Sequence, residues 1–285
     1  MLWLSSAALS SLLAALDDPG RALLPAHAAH AAVTSATYYV NFVKLDGNQK
    51  HNERFYARGL EATCSQLIAA GKRVALVGQE GWVAANAPSC LPAADRTPGG
   101  PFGFSALPKP GSVSPYLRLI GADCATKYGD PQPVGGLRDL ATIWLSKLGI
   151  LCDVARARPH ELSVLVDAQL GTQPDLSWTR RWINSTEMER RHSPGRLQVE
   201  LYPQARWRWP EGSFGSANCT REARVRAPVL AIEGSACDSV QRAYAEALAA
   251  VAADERCRCF DEEIVLTRML GNAPELFTLF NTTSS

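Results

Sequence analysis

ATYYVNFVKL at residues 36–45 and RVALVG at residues 73–78 enclose a segment of helical spacing at 55–70, and this stretch decides the fold. The first run is rich in β-branched and aromatic residues, which predicts a strand. The second run is short, apolar and bounded by Gly71 and Gly78, as expected of a strand buried in a parallel sheet. Strand, helix and strand in succession form a βαβ unit. We therefore expect an α/β fold with a mostly parallel central sheet flanked by helices.

Downstream of this unit, the sequence predicts a long irregular segment followed by further strands and helices. Residues 87–136 are loaded with proline and glycine. They predict an irregular insertion over the active face, because long loops commonly carry function. We expect a single domain at residues 32–285 that contains this insertion. The further predicted elements are strands at 162–166 and 226–232 and helices at 137–154, 239–253 and 261–270.

The N-terminus and the cysteines point to the secretory route. The apolar run from Leu2 to Leu16 has the length of a signal-peptide core and is shorter than a bilayer span. Residues 1–31 are thus predicted to be a signal peptide or a short N-terminal anchor, with no other transmembrane span; the alternative is a buried N-terminal helix. An even set of eight cysteines and three Asn-x-Ser/Thr sites favour the ER or Golgi lumen, or secretion. These residues are Cys64, Cys90, Cys124, Cys152, Cys219, Cys237, Cys257 and Cys259, with Asn184, Asn218 and Asn281.

Charge and motif content exclude several classes of function. The formal net charge is +1 and no region concentrates Lys and Arg, so nucleic acid is not an expected partner. The chain lacks the GxGxxG, P-loop, HExxH and GxSxG signatures. Their absence disfavours a Rossmann dehydrogenase, a P-loop enzyme, a zincin and an α/β-hydrolase.

One lysine stands out in the predicted helix at 137–154. Most of the apolar residues of this helix fall on one stripe, and Lys147 lies within that stripe, between Leu140 and Ile143 in projection. A lysine in this position must either extend its stem out to solvent or meet an anion.

An aspartate ends one of the apolar strands. Asp167 directly follows LSVLV at residues 162–166, at the carboxyl end of the strand, where open α/β sheets bind ligands. A carboxylate there suits a divalent cation, which would neutralise a nucleotide diphosphate. Alternatively, Asp167 only ends the strand and starts a turn.

Two further groups have both a structural and a functional interpretation. Asp261, Glu262 and Glu263 are suited to cap the last helix, and a helix N-terminus can at the same time present a carboxylate as a base. Trp207 and Trp209 alternate as residues on one face of a strand do. They either stack on the sugar ring of an acceptor or belong to a half-buried core.

Three islands of the sequence resemble the HtrL/YibB-like family of GT-A-type glycosyltransferases. They are IWLSK at 143–147, LVDA at 165–168, and FDEE at 260–263 followed by PELF at 274–277. Their order and spacing agree with the family, and the similarity covers roughly residues 37–280. The resemblance implies a GT-A fold, a nucleotide-diphospho-sugar-binding α/β sandwich in which an acidic strand end holds Mn²⁺ or Mg²⁺.

The resemblance also implies roles for individual residues. Gln169 stands at the third position of the Asp-x-Asp that is typical of GT-A sites, and its neutral amide is a weaker metal ligand than a carboxylate. The implied roles are metal and donor binding by Asp167, donor binding by Lys147 and Gln169, and catalysis by Asp261 and Glu262.

The expected function is transfer of a sugar from a nucleotide-diphosphate donor to a hydroxyl of a glycan, protein or lipid acceptor in the secretory pathway. Gln169 supports an alternative, a non-catalytic GT-A-like protein that binds a nucleotide sugar or a glycan. A third hypothesis is a secreted glycoside hydrolase with Asp167 and Glu262 as its carboxylate pair.

Overall fold

Six strands form one sheet in the part of the chain that the structure describes. The computed structural model describes residues 35–41, 50–77, 85–90, 145, 147–172, 179, 183, 185–201, 225–254, 257 and 262–281. The strands are β1 (Ala36–Asn41), β2 (Arg73–Val77), β3 (Leu162–Asp167), β4 (Leu197–Leu201), β5 (Val225–Glu233) and β6 (Phe277–Asn281). Their order across the sheet is β2-β1-β3-β5-β4-β6.

The longer helical segments that accompany the sheet are α1 (Lys50–Ala69), α2 (residues 147–156, with Leu145 also helical), α3 (Glu187–Arg191), α4 (Cys237–Ala253) and α5 (Glu262–Asn272). None of the described helices is long and apolar enough to cross a membrane.

The predicted βαβ unit is present. β1 and β2 are parallel neighbours, with Tyr38 beside Val74, and α1 connects them. On its other edge β1 pairs in parallel with β3, so that Asn41 lies beside Asp167. Helix α1 begins at Lys50, five residues before the predicted start, and it ends one residue before the predicted end.

The expectation of a mostly parallel sheet is wrong, because the sheet is mixed. β5 lies between β3 and β4 and runs antiparallel to both, whereas the β1–β2, β1–β3 and β4–β6 pairs are parallel. Eight of the nine residues of β5 are buried. A strand buried on both faces gives the same continuous apolar run whichever way it points, so its direction does not follow from the residue pattern.

Helices cover both faces of the sheet, which gives a three-layer α/β arrangement. On one face, Leu148 and Leu151 of α2 pack in one core with side chains of α4 and α5. On the opposite face, Leu60 and Leu67 of α1 form a second core with Val164 of β3. Alternation along β3 assigns Leu165 to the first core and Val166 to the second.

One disulfide fixes the layer formed by α1. Cys64 in the middle of α1 is bonded to Cys90 in the 3-10 segment Pro88–Cys90. Both residues are fully buried. The expected disulfide content is therefore confirmed for this pair, and Cys257 is also disulfide-bonded.

Candidate ligand site at the carboxyl edge of the sheet

The strand order positions Asp167 where ligands bind in open α/β sheets. From β1 the chain passes to β2 on one side, and the next strand, β3, pairs with the other side of β1. The carboxyl ends of β1 and β3 therefore form a topological switch point, the position at which open α/β sheets generally bind ligands. Asp167 is the last residue of β3, and it lies beside the last residue of β1.

Helix α2 brings Lys147 to this edge. Leu148 and Leu151 bury one face of α2 in the core, and the helical spacing carries Lys147 into the same layer. The residue is only 5% exposed. Of the two outcomes open to a lysine on an apolar stripe, extending to solvent or meeting an anion, the structure shows the second.

The ammonium of Lys147 contacts four oxygen atoms that belong to three residues. Its Nζ lies 2.9 Å from Oδ1 and 3.0 Å from Oδ2 of Asp167, and 2.5 Å from Oε1 of Glu262. It also donates to the backbone carbonyl of Ala227 in β5, at 3.4 Å. Since a lysine ammonium has three N–H donors, all of them are directed at Asp167, Glu262 and Ala227. Direct contact between Lys147 and a donor diphosphate would require one of these bonds to be exchanged.

The first turn of α5 completes the cluster. Glu262 begins this helix, where a carboxylate also interacts favourably with the helix dipole. Its neighbour Glu263 accepts a hydrogen bond from the backbone N–H of Ala227, at 3.0 Å. Ala227 is thus held by Glu263 through its N–H and by Lys147 through its carbonyl, which ties α2, β5 and α5 together.

The charges of Lys147, Asp167 and Glu262 do not balance. One ammonium faces two carboxylates, so the ionised cluster carries a net charge of −1. Burial raises the pKa of Asp167, and although Lys147 opposes this, the pKa stays above its ordinary value, with Glu262 adding to the rise. Burial alone would lower the pKa of Lys147, but the two carboxylates outweigh it and hold this pKa above its ordinary value.

Asp167 is the member of the cluster that a ligand can reach. Its side chain is 32% exposed, against 7% for Glu262 and 6% for Lys147. No group of three or more His, Cys, Asp or Glu side chains that could hold a metal ion occurs in the described part of the chain. A divalent cation at Asp167 nevertheless fits the chemistry of the site, because the carboxylate is a hard oxygen ligand and the cluster has a surplus negative charge.

The remaining predicted site residues divide into two groups. Gln169 lies two residues beyond Asp167, in the 3-10 segment Ala168–Gly171. Asp261, Trp207 and Trp209 lie outside the described residues. The structure thus brings Lys147, Asp167 and Glu262 together, from three separate segments of the sequence.

Sequence reasoning missed two participants in the cluster. The carbonyl of Ala227 carries no side-chain signal, so only the fold reveals it. The sequence predicts Glu263 only as part of an acidic helix start, and its bond to the N–H of Ala227 depends on β5 passing beside α5. No pattern in the sequence indicates that neighbourhood.

Comparisons with known proteins add no relative. No protein-family profile, no curated protein and no solved structure matches this chain. The resemblance to the HtrL/YibB-like family therefore stays a prediction that rests on the quoted residues.

Proposed function

We propose that this protein is a nucleotide-sugar-dependent glycosyltransferase of the secretory pathway. The observation that carries the proposal is the cluster of Lys147, Asp167 and Glu262 at the carboxyl edge of β3, in which Lys147 and Glu262 are buried and Asp167 is partly exposed. Buried charges are costly unless they are paired, and charged clusters in clefts are characteristic of functional sites. The position of the cluster at a topological switch point adds a second, independent reason.

A GT-A-like identity for the fold is part of this proposal. The α/β sheet with helices on both faces is compatible with it, and an acidic residue at the end of β3 corresponds to the metal-binding acid that the resemblance implies. The antiparallel β5 carries Ala227, whose N–H donates to Glu263 of α5 and whose carbonyl accepts from Lys147.

The chemistry would consist of one glycosyl transfer. The bond between the anomeric carbon and the phosphate oxygen of the donor breaks, and a bond from that carbon to the acceptor oxygen forms. The acceptor proton passes to a carboxylate, for which Asp261 and Glu262 stay the predicted candidates. A divalent cation held by Asp167 would neutralise the departing nucleoside diphosphate.

Within this scheme the described residues have distinct tasks. Asp167 is the exposed member of the cluster and faces the ligand. Lys147 orients Asp167 and Glu262 and offsets part of their charge, because its ammonium contacts both. Glu262 is nearly fully buried, so any direct part in proton transfer requires it to leave Lys147.

The geometry gives less support to a glycoside hydrolase. Such enzymes need two carboxylates with space between them for the scissile bond, at separations of about 5–5.5 Å or about 6.5–9.5 Å. Here the ammonium of Lys147 lies in contact with both Asp167 and Glu262 and occupies the space between their carboxylates.

Thermal stabilisation by nucleotides tests the proposal. The full chain should be stabilised by UDP or GDP together with Mn²⁺, relative to Mn²⁺ alone. Asp167→Asn should remove this stabilisation, whereas Asp153→Asn should keep it, because Asp153 is an exposed aspartate of α2 remote from the cluster contacts. A shift that survives in EDTA would favour the non-catalytic binding protein. The absence of a response to any nucleotide would contradict the proposal.

The pH dependence of this binding follows from the raised pKa of Asp167. Binding of a cation needs the ionised carboxylate, so affinity should fall as the pH decreases through that raised pKa. The affinity should therefore begin to fall at a higher pH than it would for an aspartate with the ordinary pKa of about 3.9.

A further inference from the structure

Two buried thiols face each other between α2 and α4. Cys152 lies in α2, and Cys237 is the first residue of α4. Both are completely buried and both are free thiols in this structure. The Sγ of Cys237 lies 3.7 Å from the carbonyl oxygen of Cys152, and the Sγ of Cys152 lies 4.0 Å from the carbonyl oxygen of Cys237. These reciprocal contacts leave each sulfur next to the backbone of the other residue.

The two thiols differ in character. Their mutual hydrogen bond is the largest influence on both: it raises the pKa of Cys152, with burial adding to the rise, and it lowers the pKa of Cys237. Arg156, one turn after Cys152, further favours the Cys237 thiolate. The two side chains therefore interact directly once α2 and α4 have packed.

The pair lies toward the edge of the sheet opposite the candidate site, because Glu233 at the end of β5 pairs with Leu162 at the start of β3. Cys152 lies five residues after Lys147 on the same helix. Glu233 ends β5 and precedes the 3-10 segment Gly234–Ala236, which leads directly into Cys237. A covalent bond between the two sulfurs would therefore join the helix that carries Lys147 to the segment that follows β5.

We propose that Cys152 and Cys237 form a disulfide when the protein folds in an oxidising compartment. The thiolate of either cysteine attacks a disulfide of an oxidant, such as an oxidised dithiol oxidoreductase or glutathione disulfide, and forms a mixed disulfide. The thiolate of the other cysteine then attacks the protein sulfur of this mixed disulfide and displaces the second sulfur of the oxidant as a thiolate. The two protons and the two electrons of the cysteine thiols end on the oxidant, whose disulfide becomes a pair of thiols.

This reaction belongs to folding and not to the finished protein. Both sulfurs are inaccessible once α2 and α4 have packed, so an external oxidant reaches them only before these helices close. The bond would close a loop between residues 85 positions apart. A crosslink over so long a loop restricts the unfolded chain strongly, which raises the melting temperature.

Peptide mapping tests the proposal directly. The full chain is produced through an oxidising secretory compartment, alkylated under denaturing conditions and digested without reduction. The bonded pair Cys64–Cys90 serves as the internal standard, and the sample used is one in which that bond is closed. We expect Cys152 and Cys237 in one crosslinked peptide that reduction separates. Alkylation of both thiols without reduction would overturn the proposal, as would a bond from either of them to another cysteine.

Variants provide a second readout that does not depend on mapping. If a bond exists, the melting temperature should fall by a similar amount, about 10 °C, in Cys152→Ala, in Cys237→Ala and in the double variant. If the two are free thiols that share only a hydrogen bond, the double variant should lose clearly more stability than either single variant. A clearly larger loss in the double variant would contradict the proposal.

Discussion

Lys147 is the residue on which the candidate site depends. It is the cation that two carboxylates share, and neither Asp167 nor Glu262 has another cation among the ion pairs of the described residues. Removal of one partner from a buried ionic group leaves uncompensated charge, which costs more than the group as a whole contributes. Replacing Lys147 should therefore lower the free energy of unfolding strongly, by an amount that depends on whether Asp167 and Glu262 carry a charge.

Lys147→Met should lower the free energy of unfolding by about 3–5 kcal/mol, because it leaves two ionised carboxylates without a counter-charge. Urea denaturation measures this loss. The double variant Lys147→Met/Glu262→Gln should recover part of it, since one of the two stranded charges is removed. A loss below about 1 kcal/mol, as for an exposed ion pair, would show that the cluster is not buried as described.

The raised pKa of Lys147 predicts how stability changes in alkali. The folded protein keeps the proton at a pH at which the unfolded chain releases it. The contribution of Lys147 is thus fully present below about pH 10.4, the ordinary pKa of lysine, and is lost as the pH rises above it. The difference in unfolding free energy between the wild-type protein and Lys147→Met should shrink in this range. A constant difference would contradict the raised pKa.

The individual members of the cluster could be predicted from the sequence, but the contacts between their side chains could not. Lys147 is conspicuous as the one charge on an apolar stripe, and Asp167 as the acid that ends an apolar strand. That α5 places Glu262 against both follows only from the order of the strands and the layer on which each helix packs.

At the scale of single elements, the turn after β3 depends on close packing against α1. A Cβ at Gly171 would lie 2.5 Å from the backbone nitrogen of Thr63. The hydroxyl of Thr63 meanwhile donates to the carbonyl of Ala168 and accepts from the N–H of Gly171. The 3-10 segment that follows Asp167 is therefore held directly on α1.

Gly171→Ala should destabilise the protein by about 2 kcal/mol, because the added methyl group forces this segment away from α1. Gly149→Ala is the matched control. A Cβ at Gly149 in α2 meets no atom within 4 Å in the described structure, and alanine favours a helix, so this change should stabilise by about 0.5–1 kcal/mol. Calorimetric unfolding of both variants checks the pair. Equal effects of the two substitutions would refute the packing argument.

The elements that sequence reasoning missed are informative. β4 reads LQVEL, an alternation that is typical of a strand with one face in water, yet Gln198 and Glu200 are fully buried. The hydroxyl of Thr179 donates to Glu200 at 2.7 Å. The amphipathic spacing of α4 and the continuous apolar run of β3 predict these two elements to within two residues of each end.

For the whole molecule, the bond between Cys64 and Cys90 links α1 to a segment 26 residues further along the chain. Replacing both cysteines by alanine should lower the free energy of unfolding by about 3 kcal/mol, because the unfolded chain gains the freedom of an open loop. Chemical denaturation of the variant and of the wild-type protein under non-reducing conditions measures this. If reducing agent does not lower the stability of the wild-type protein toward that of the variant, the bond is not closed.

The α/β class follows from the sequence, whereas the direction of the strands follows only from the three-dimensional structure. Two apolar runs with a helix between them are enough to define β1, α1 and β2. β5 is equally apolar and runs the other way, so the same local pattern supports two different sheets. The candidate site combines groups from these two antiparallel strands, since β3 supplies Asp167 and β5 supplies the carbonyl of Ala227.

Release of nucleoside diphosphate from a panel of UDP- and GDP-sugars, with Mn²⁺ or Mg²⁺ present, tests the central claim most directly. The account predicts that the full chain turns over at least one donor, and that Asp167→Asn lowers this rate by about 100-fold or more, within the range of a lost electrostatic contact to the reacting groups. Asp153→Asn should keep the rate. No turnover of any donor, or an unchanged rate in Asp167→Asn, would contradict it.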